Sequence, residues 1–237
     1  MATTTINSPI QYSPRPHSSS SKSCDDPNCS GSCGTPRTGS SPIQVGDVVS
    51  VCMSVYTPFK TLLGIPRDSK SFYTGSSTKG ARPCIVIKMP GKADHTCKIV
   101  ILASFSKSEE DKVPSAFKDF LIPIPTVSRH VNGGIDHVHT SPEWESSPQY
   151  LVVISTSCHI NDLQERWHSH IADGESKQKF AFYLDALALA MLRSIVRKRL
   201  EHWNTTGEGD DAQGIFRAAQ ANTKGTYDSC RPVQASN

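Results

Sequence analysis

Two groups of side chains in this sequence are of the types that hold metal ions. Cys24, Cys29 and Cys33 stand in CDDPNCSGSC, and His130, His137 and His139, with Asp136, stand in RHVNGGIDHVHTSPEWE. Thiolates and imidazoles are the usual donors to zinc, but a structural site needs four of them, commonly at short repeated spacings. The C-x4-C-x3-C spacing falls short of that, even with His17 as a fourth donor, and the thiols lie in a polar stretch. The histidines sit among Gly-Gly and prolines, which signal a loop, and H-x-H on a loop is a weak pattern. Neither group, taken alone, reads as a metal site, and no cofactor is expected. Cys158-His159 has the composition of a thiol–imidazole pair, yet neighbours on an extended segment face opposite sides. The sequence contains no P-loop, Rossmann glycine pattern or G-x-S-x-G elbow.

The elements that must position any chemistry occupy only part of the 237 residues. Residues 1–43 are rich in Ser, Thr, Pro, Asn and Gly and bear too few large apolar groups to offset the entropy of ordering. Residues 204–237 are similar, so both ends are expected to be disordered tails. Between them, residues 44–203 read as one domain. Val-rich VGDVVSVCMSV from 45, RPCIVIK at 82–88, KIVILASF at 98–105 and QYLVVIST at 149–156 read as strands. FLIPIP at 120–125 reads as a short edge strand, because its prolines cannot donate to a ladder. The second and third strands are apolar almost throughout, which predicts burial on both faces. No regular alternation with long helices supports a parallel sheet. At 176–202, Phe180, Leu184, Leu187, Met191 and Ile195 recur three or four apart and predict an amphipathic helix, with Ser176 as its cap. Arg193, Arg197, Lys198 and Arg199 near its C-terminal end suit the helix dipole.

Net charge is +3. That is compatible with nucleic acid but is no argument for it alone. The eight cysteines, read without a basic and apolar leader at the start, are expected to be reduced thiols of an intracellular protein, in cytoplasm or nucleus. The longest uncharged apolar run, 186–192, is too short to cross a bilayer.

Three segments together carry a family resemblance. Gly46-Asp47-Val48-Val49-Ser50-Val51 is similar to a G-D-[IV]-x-x-V first strand. Residues 75–87, GSSTKGARPCIVI, are similar to G-S-E-x-x-G-x-R-P followed by an apolar strand. Val100-Ile101-Leu102-Ala103-Ser104-Phe105-Ser106 is similar to V-I-V-A-x-[IL]-T. In order, register and spacing this resembles the MazF/PemK family, bacterial toxins that cut RNA without metal. The resemblance implies a mainly β fold, an SH3-like half-open β-barrel capped by an amphipathic C-terminal helix. It also implies RNA as partner and a homodimer as the assembly. Residues 107–149 have no counterpart in the family and read as an insertion.

The same resemblance assigns catalysis to Arg82 and Ser106, with Lys79, Ser76 and Ser77 on the preceding loop at the RNA. The implied reaction is attack of a 2′-hydroxyl on its own phosphodiester, leaving a 2′,3′-cyclic phosphate and a 5′-hydroxyl. The nucleophile is already tethered to the phosphorus, so the protein supplies charge stabilisation and proton handling. A guanidinium presents a planar fork of donors to phosphate oxygens but is no base. Ser106 keeps the hydroxyl of the family threonine without the methyl group that fixes its rotamer. Ser77 replaces the acidic residue, and the loop before Gly80 carries an extra Leu62-Leu63-Gly64-Ile65-Pro66. These departures motivate a second reading, a catalytically inactive barrel that binds protein or nucleic acid.

Overall fold

The computed structural model describes residues 24, 41–65, 81–91, 93–104, 118–126, 131–132, 134–144, 149–169 and 180–206. Six strands form one antiparallel sheet: β1 Val48–Val51, β2 Arg82–Lys88, β3 Thr96–Ala103, β4 Leu121–Ile124, β5 Gln149–His159 and β6 Leu163–Arg166. Their order is β4-β5-β3-β2-β1-β6. Among the described residues no pairing joins the edge strands β4 and β6, so the sheet is not closed. The helices described along their length are α1 Thr57–Leu62 and α2 Ala186–Thr206, and a 3₁₀ turn, Ile160–Asp162, links β5 to β6.

Alternation sorts the apolar strand residues into two cores. Val48, Ile85, Val100, Leu102 and Leu151 point to one face, where Phe59 of α1 and Leu192, Ile195 and Trp203 of α2 cover them. Val49, Cys84, Val86, Ile99 and Ile101 point to the other, joined by Cys97, Cys158 and Leu163. Both faces are buried, as the unbroken apolar character of β2 and β3 predicts. The second core draws its residues from the strands and from flanking Ile43, Met53, Met89 and Ile160 of the 3₁₀ turn, and takes none from α1 or α2. Register shifts at Val49/Val51, Val86/Lys88 and Ile99/Ile101 supply the local bends that let a sheet curl over such a core.

The expected edge strand at 120–125 appears as β4, paired to β5 from Leu121↔Val152 to Ile124↔Gln149. The described residues of the segment read as an insertion therefore contribute to the sheet and its core. Phe120, Ile122, Ile124, Val138 and Trp144 all lie in the larger core. Trp144 packs on Phe182 at a centroid separation of 4.5 Å, and Phe120 meets Trp203 edge-on at 5.5 Å.

The C-terminal helix differs from its prediction. It begins at Ala186, ten residues later than expected, and its N-terminal cap is Asp185, whose Oδ1 accepts from Ala188 N at 2.8 Å. Ser176 lies outside the described residues. Phe180–Leu184 is an extended strap instead. Its backbone bonds to Ser169, Trp167, Val48, Ser141 and Gly46 in turn, and Ala181–Leu184 are buried on both sides. Phe180 and Leu184 fit a helical spacing only because aromatic and apolar residues also fill the positions between them, as a fully buried strand requires. The buried stripe of α2 is Leu192, Ile195, Val196 and Trp203, while Leu187 is exposed.

Part of the basic cluster on α2 is engaged by the domain. Arg193 donates Nε and Nη2 to the Ile87 carbonyl at the end of β2, at 3.1 and 2.5 Å. Arg199 pairs with Asp136 at 3.0 Å and so ties the helix to the histidine-bearing loop.

Candidate functional site

Arg82 is the first residue of β2, opposite Val51 of β1, and is half-buried. The β2–β3 register runs through Cys84↔Ile101. Continued two residues, it brings Arg82 and Ala103, the last residue of β3, to the same end of the sheet. Ser106 follows three residues later and lies outside the described residues, as do Ser76, Ser77 and Lys79.

Two residues that the sequence reading passed over stand by this sheet end. Tyr56 and Lys60 occupy successive turns at the start of α1, with Lys60 N donating to Tyr56 O at 3.0 Å. Burial raises the Tyr56 phenol above its ordinary value, while the charge of Arg82 pulls it back down. The phenol thus stays protonated at neutral pH within electrostatic reach of the guanidinium. Lys60 is almost wholly inaccessible, and burial pushes its ammonium down to about 8.

That displacement has a measurable consequence for stability. Between about pH 8 and 10.5 the folded chain has released the Lys60 proton while the unfolded chain still holds it, so stability rises with pH across that window. Below pH 8 both states are protonated and the penalty is complete. In urea titrations, the unfolding free energy of the wild type relative to Lys60→Met should improve by about 1–2 kcal/mol from pH 8 to 10, the full linkage being discounted for residual solvation. A difference that stays flat would mean that the ammonium is solvated.

Cys97 and Cys158 face each other across β3 and β5 with their sulfurs 3.1 Å apart, both unbridged. Burial pushes Cys84 and Cys158 well above the ordinary thiol range. His159 points away from Cys158 and caps the 3₁₀ turn, accepting at Nδ1 from Asn161 N.

The chain matches no family model, no curated protein and no solved structure. Its function has to be read from its own groups.

The most concentrated set of donors lies away from Arg82. Cys24 makes an isolated parallel bridge with Val131, which sets its thiol against the loop carrying His137 and His139. Cys24 Sγ is 3.2 Å from His139 Nε2. The two imidazoles lie 5.2 Å apart between centroids and nearly perpendicular, at 78°. One donor atom from each of the three residues lies within 4.8 Å of the others, and all three residues are buried. Burial, assisted by His137, lowers His139 to about 4, against an opposing pull from Asp185, so its ring is neutral at pH 7. His137 Nδ1 lies 2.7 Å from the Ile135 carbonyl, to which only an N–H can bond, so the Nε2 lone pair is left uncommitted. His137 Nε2 is buried with no hydrogen-bond partner among the described residues. An unsatisfied buried polar atom costs about 1–3 kcal/mol.

The sequence shows the cysteine and histidine groups separately, and each is incomplete. Cys24 and His139 are 115 residues apart. No local spacing could have joined them. The described residues of the cluster do not include Cys29, Cys33 or His130.

Proposed function

We propose that this chain is an RNA-acting protein of the MazF/PemK type on an SH3-like half-open barrel. Arg82 and Ser106 act at the scissile phosphate, and Lys79, Ser76 and Ser77 hold the strand. The observation that supports the reading is the antiparallel register, which draws the start of β2 and the end of β3 to one end of the sheet. This supports the reading because Arg82 and the strand that precedes Ser106 share that end.

In this reading the 2′-hydroxyl gives up its proton to solvent, its oxygen attacks its own phosphorus, and the bond to the 5′-oxygen breaks. Arg82 stabilises the charge that builds on the non-bridging oxygens. Ser106 donates to one of them. The neutral Tyr56 phenol beside Arg82 suits proton donation to the departing 5′-oxygen, since that role needs a group that carries its proton at neutral pH. Two copies of the chain form the active assembly.

The test uses the full chain and single-stranded RNA in buffer without added divalent ions. Fragments with 2′,3′-cyclic phosphate and 5′-hydroxyl ends are expected. Arg82→Ala should slow their formation about a hundredfold, the effect of losing one charge-stabilising donor, with thermal unfolding unchanged. No cleavage, or undiminished cleavage by the variant, removes the enzyme reading. Arg82-dependent RNA binding without cleavage would replace it with a binding barrel.

A further inference from the structure

The cluster of Cys24, His137 and His139 has the features of a metal centre, and none of the nuclease chemistry uses it. Its donor set is one thiol and two imidazoles, all inaccessible to bulk solvent. Magnesium and calcium prefer oxygen, whereas this set suits zinc. In tetrahedral zinc, bonds of about 2.3 Å to sulfur and 2.0–2.1 Å to nitrogen place neighbouring donors roughly 3.3–3.8 Å apart. The observed cluster, with its 3.2 Å sulfur–nitrogen contact and an outer limit of 4.8 Å, brackets that spacing.

His137 supplies the independent observation. Zinc-bound histidines characteristically donate their second N–H to a carbonyl or carboxylate, which fixes the ring and its tautomer. His137 does this through Nδ1 to Ile135 O, and its other nitrogen is buried without a partner. Folded proteins seldom leave such an atom unsatisfied, and each case calls for an occupant. A hydrogen bond with Cys24 accounts for His139 Nε2, but nothing among the described residues accounts for His137 Nε2.

We propose that Cys24, His137 and His139 bind a zinc ion that clamps the N-terminal segment to the 131–141 loop. The thiol of Cys24 gives up its proton to solvent on binding and its sulfur bonds to the metal. The imidazoles bind through neutral nitrogens. The fourth position belongs to water. Because Asp136 on the same loop pairs with Arg199, the clamp connects through that loop to α2.

Full-length chain purified without chelator should carry about one zinc per chain by elemental analysis. After the metal is stripped, Co²⁺ alone should restore one equivalent, with a near-ultraviolet sulfur-to-cobalt charge-transfer band and the intense visible bands of tetrahedral coordination. Cys24→Ser should lose the charge-transfer band, and His137→Gln should lower zinc content at least tenfold. A wild type that arrives without zinc and takes up no Co²⁺ overturns the proposal, as does a charge-transfer band that survives in Cys24→Ser. The cobalt spectrum of the wild type decides the matter even where a variant fails to fold.

Discussion

Asp47→Ala should destabilise the domain by about 3–5 kcal/mol, because it strands a guanidinium inside the fold. Asp47 and Arg166 are both buried, and Asp47 Oδ2 accepts from Arg166 Nε at 3.0 Å and Nη2 at 2.6 Å. The same oxygen accepts from Gln44 N at 2.8 Å. Arg166 also donates to the carbonyls of Ser41 and Pro42. One ion pair therefore fixes the lead-in to β1, the turn at Gly46-Asp47 and the end of β6. Removing the carboxylate takes from the buried arginine the counter-charge that Asp47 supplies at 2.6 Å. A domain of this kind has only about 5–15 kcal/mol of stability, so the loss would be a large share of it. Arg166→Met should also destabilise. The double variant Asp47→Ala/Arg166→Met should lose less than the sum of the two single losses by about 1–3 kcal/mol, since neither charge is then buried alone. Additive losses in urea denaturation would show that the pair is not coupled.

Legibility of this fold follows the range of the signal. RPCIVIK is read as a strand at 82–88 and is β2 over those residues. There the chain is β-branched, apolar and bounded by Met89-Pro90-Gly91, so local pattern and tertiary burial agree. FLIPIP is legible for a similar reason, since Pro123 restricts it to an edge. The six-residue α1 and the four-residue β6 escape notice because each is too short to show a period. β6 also carries Gln164, Glu165 and Arg166, which look like surface residues. Only the structure reveals that Arg166 is turned inward to meet Asp47.

The strap at 180–184 misleads for a different reason. A helix face and a doubly buried strand can share their apolar positions, and here only Asp185 separates Leu184 from the apolar start of α2. Asp185 is the one residue that marks the boundary, and its role as a cap depends on the chain having already been extended before it. The Cys24–His137–His139 cluster lies beyond any reading of local spacing. Two incomplete donor sets, each rightly weak alone, become one site only after the Cys24–Val131 bridge is formed. For Arg82, the sequence suggests a position at the head of a strand beside the end of β3. The nearby Tyr56 is found only once α1 has been folded against the sheet.

Gly46→Ala should cost about 3 kcal/mol or more, and the reason can be separated into two parts by a control. Gly46 has φ +92°, a region where an L side chain is strained by about 1–3 kcal/mol. A Cβ there would also stand 2.8 Å from the Leu184 carbonyl oxygen. That oxygen cannot easily retreat, because Leu184 N donates to Gly46 O at 2.8 Å and holds the two backbones together. On the other side Gly46 N donates to Val86 O at 2.7 Å, so the turn cannot swing outward without breaking a ladder contact with β2. The glycine of the G-D motif is thus the point where strap, first strand and second strand touch, and a methyl group has to separate them. Gly134 has a similar φ of +86° but open space around the would-be Cβ. Gly134→Ala should therefore lose only the backbone part, about 1 kcal/mol. Unfolding free energies from urea titration measure both. Equal losses at the two positions would mean that the strap yields to the methyl group, and that the close packing of Leu184 on Gly46 is not what holds the extended segment in place.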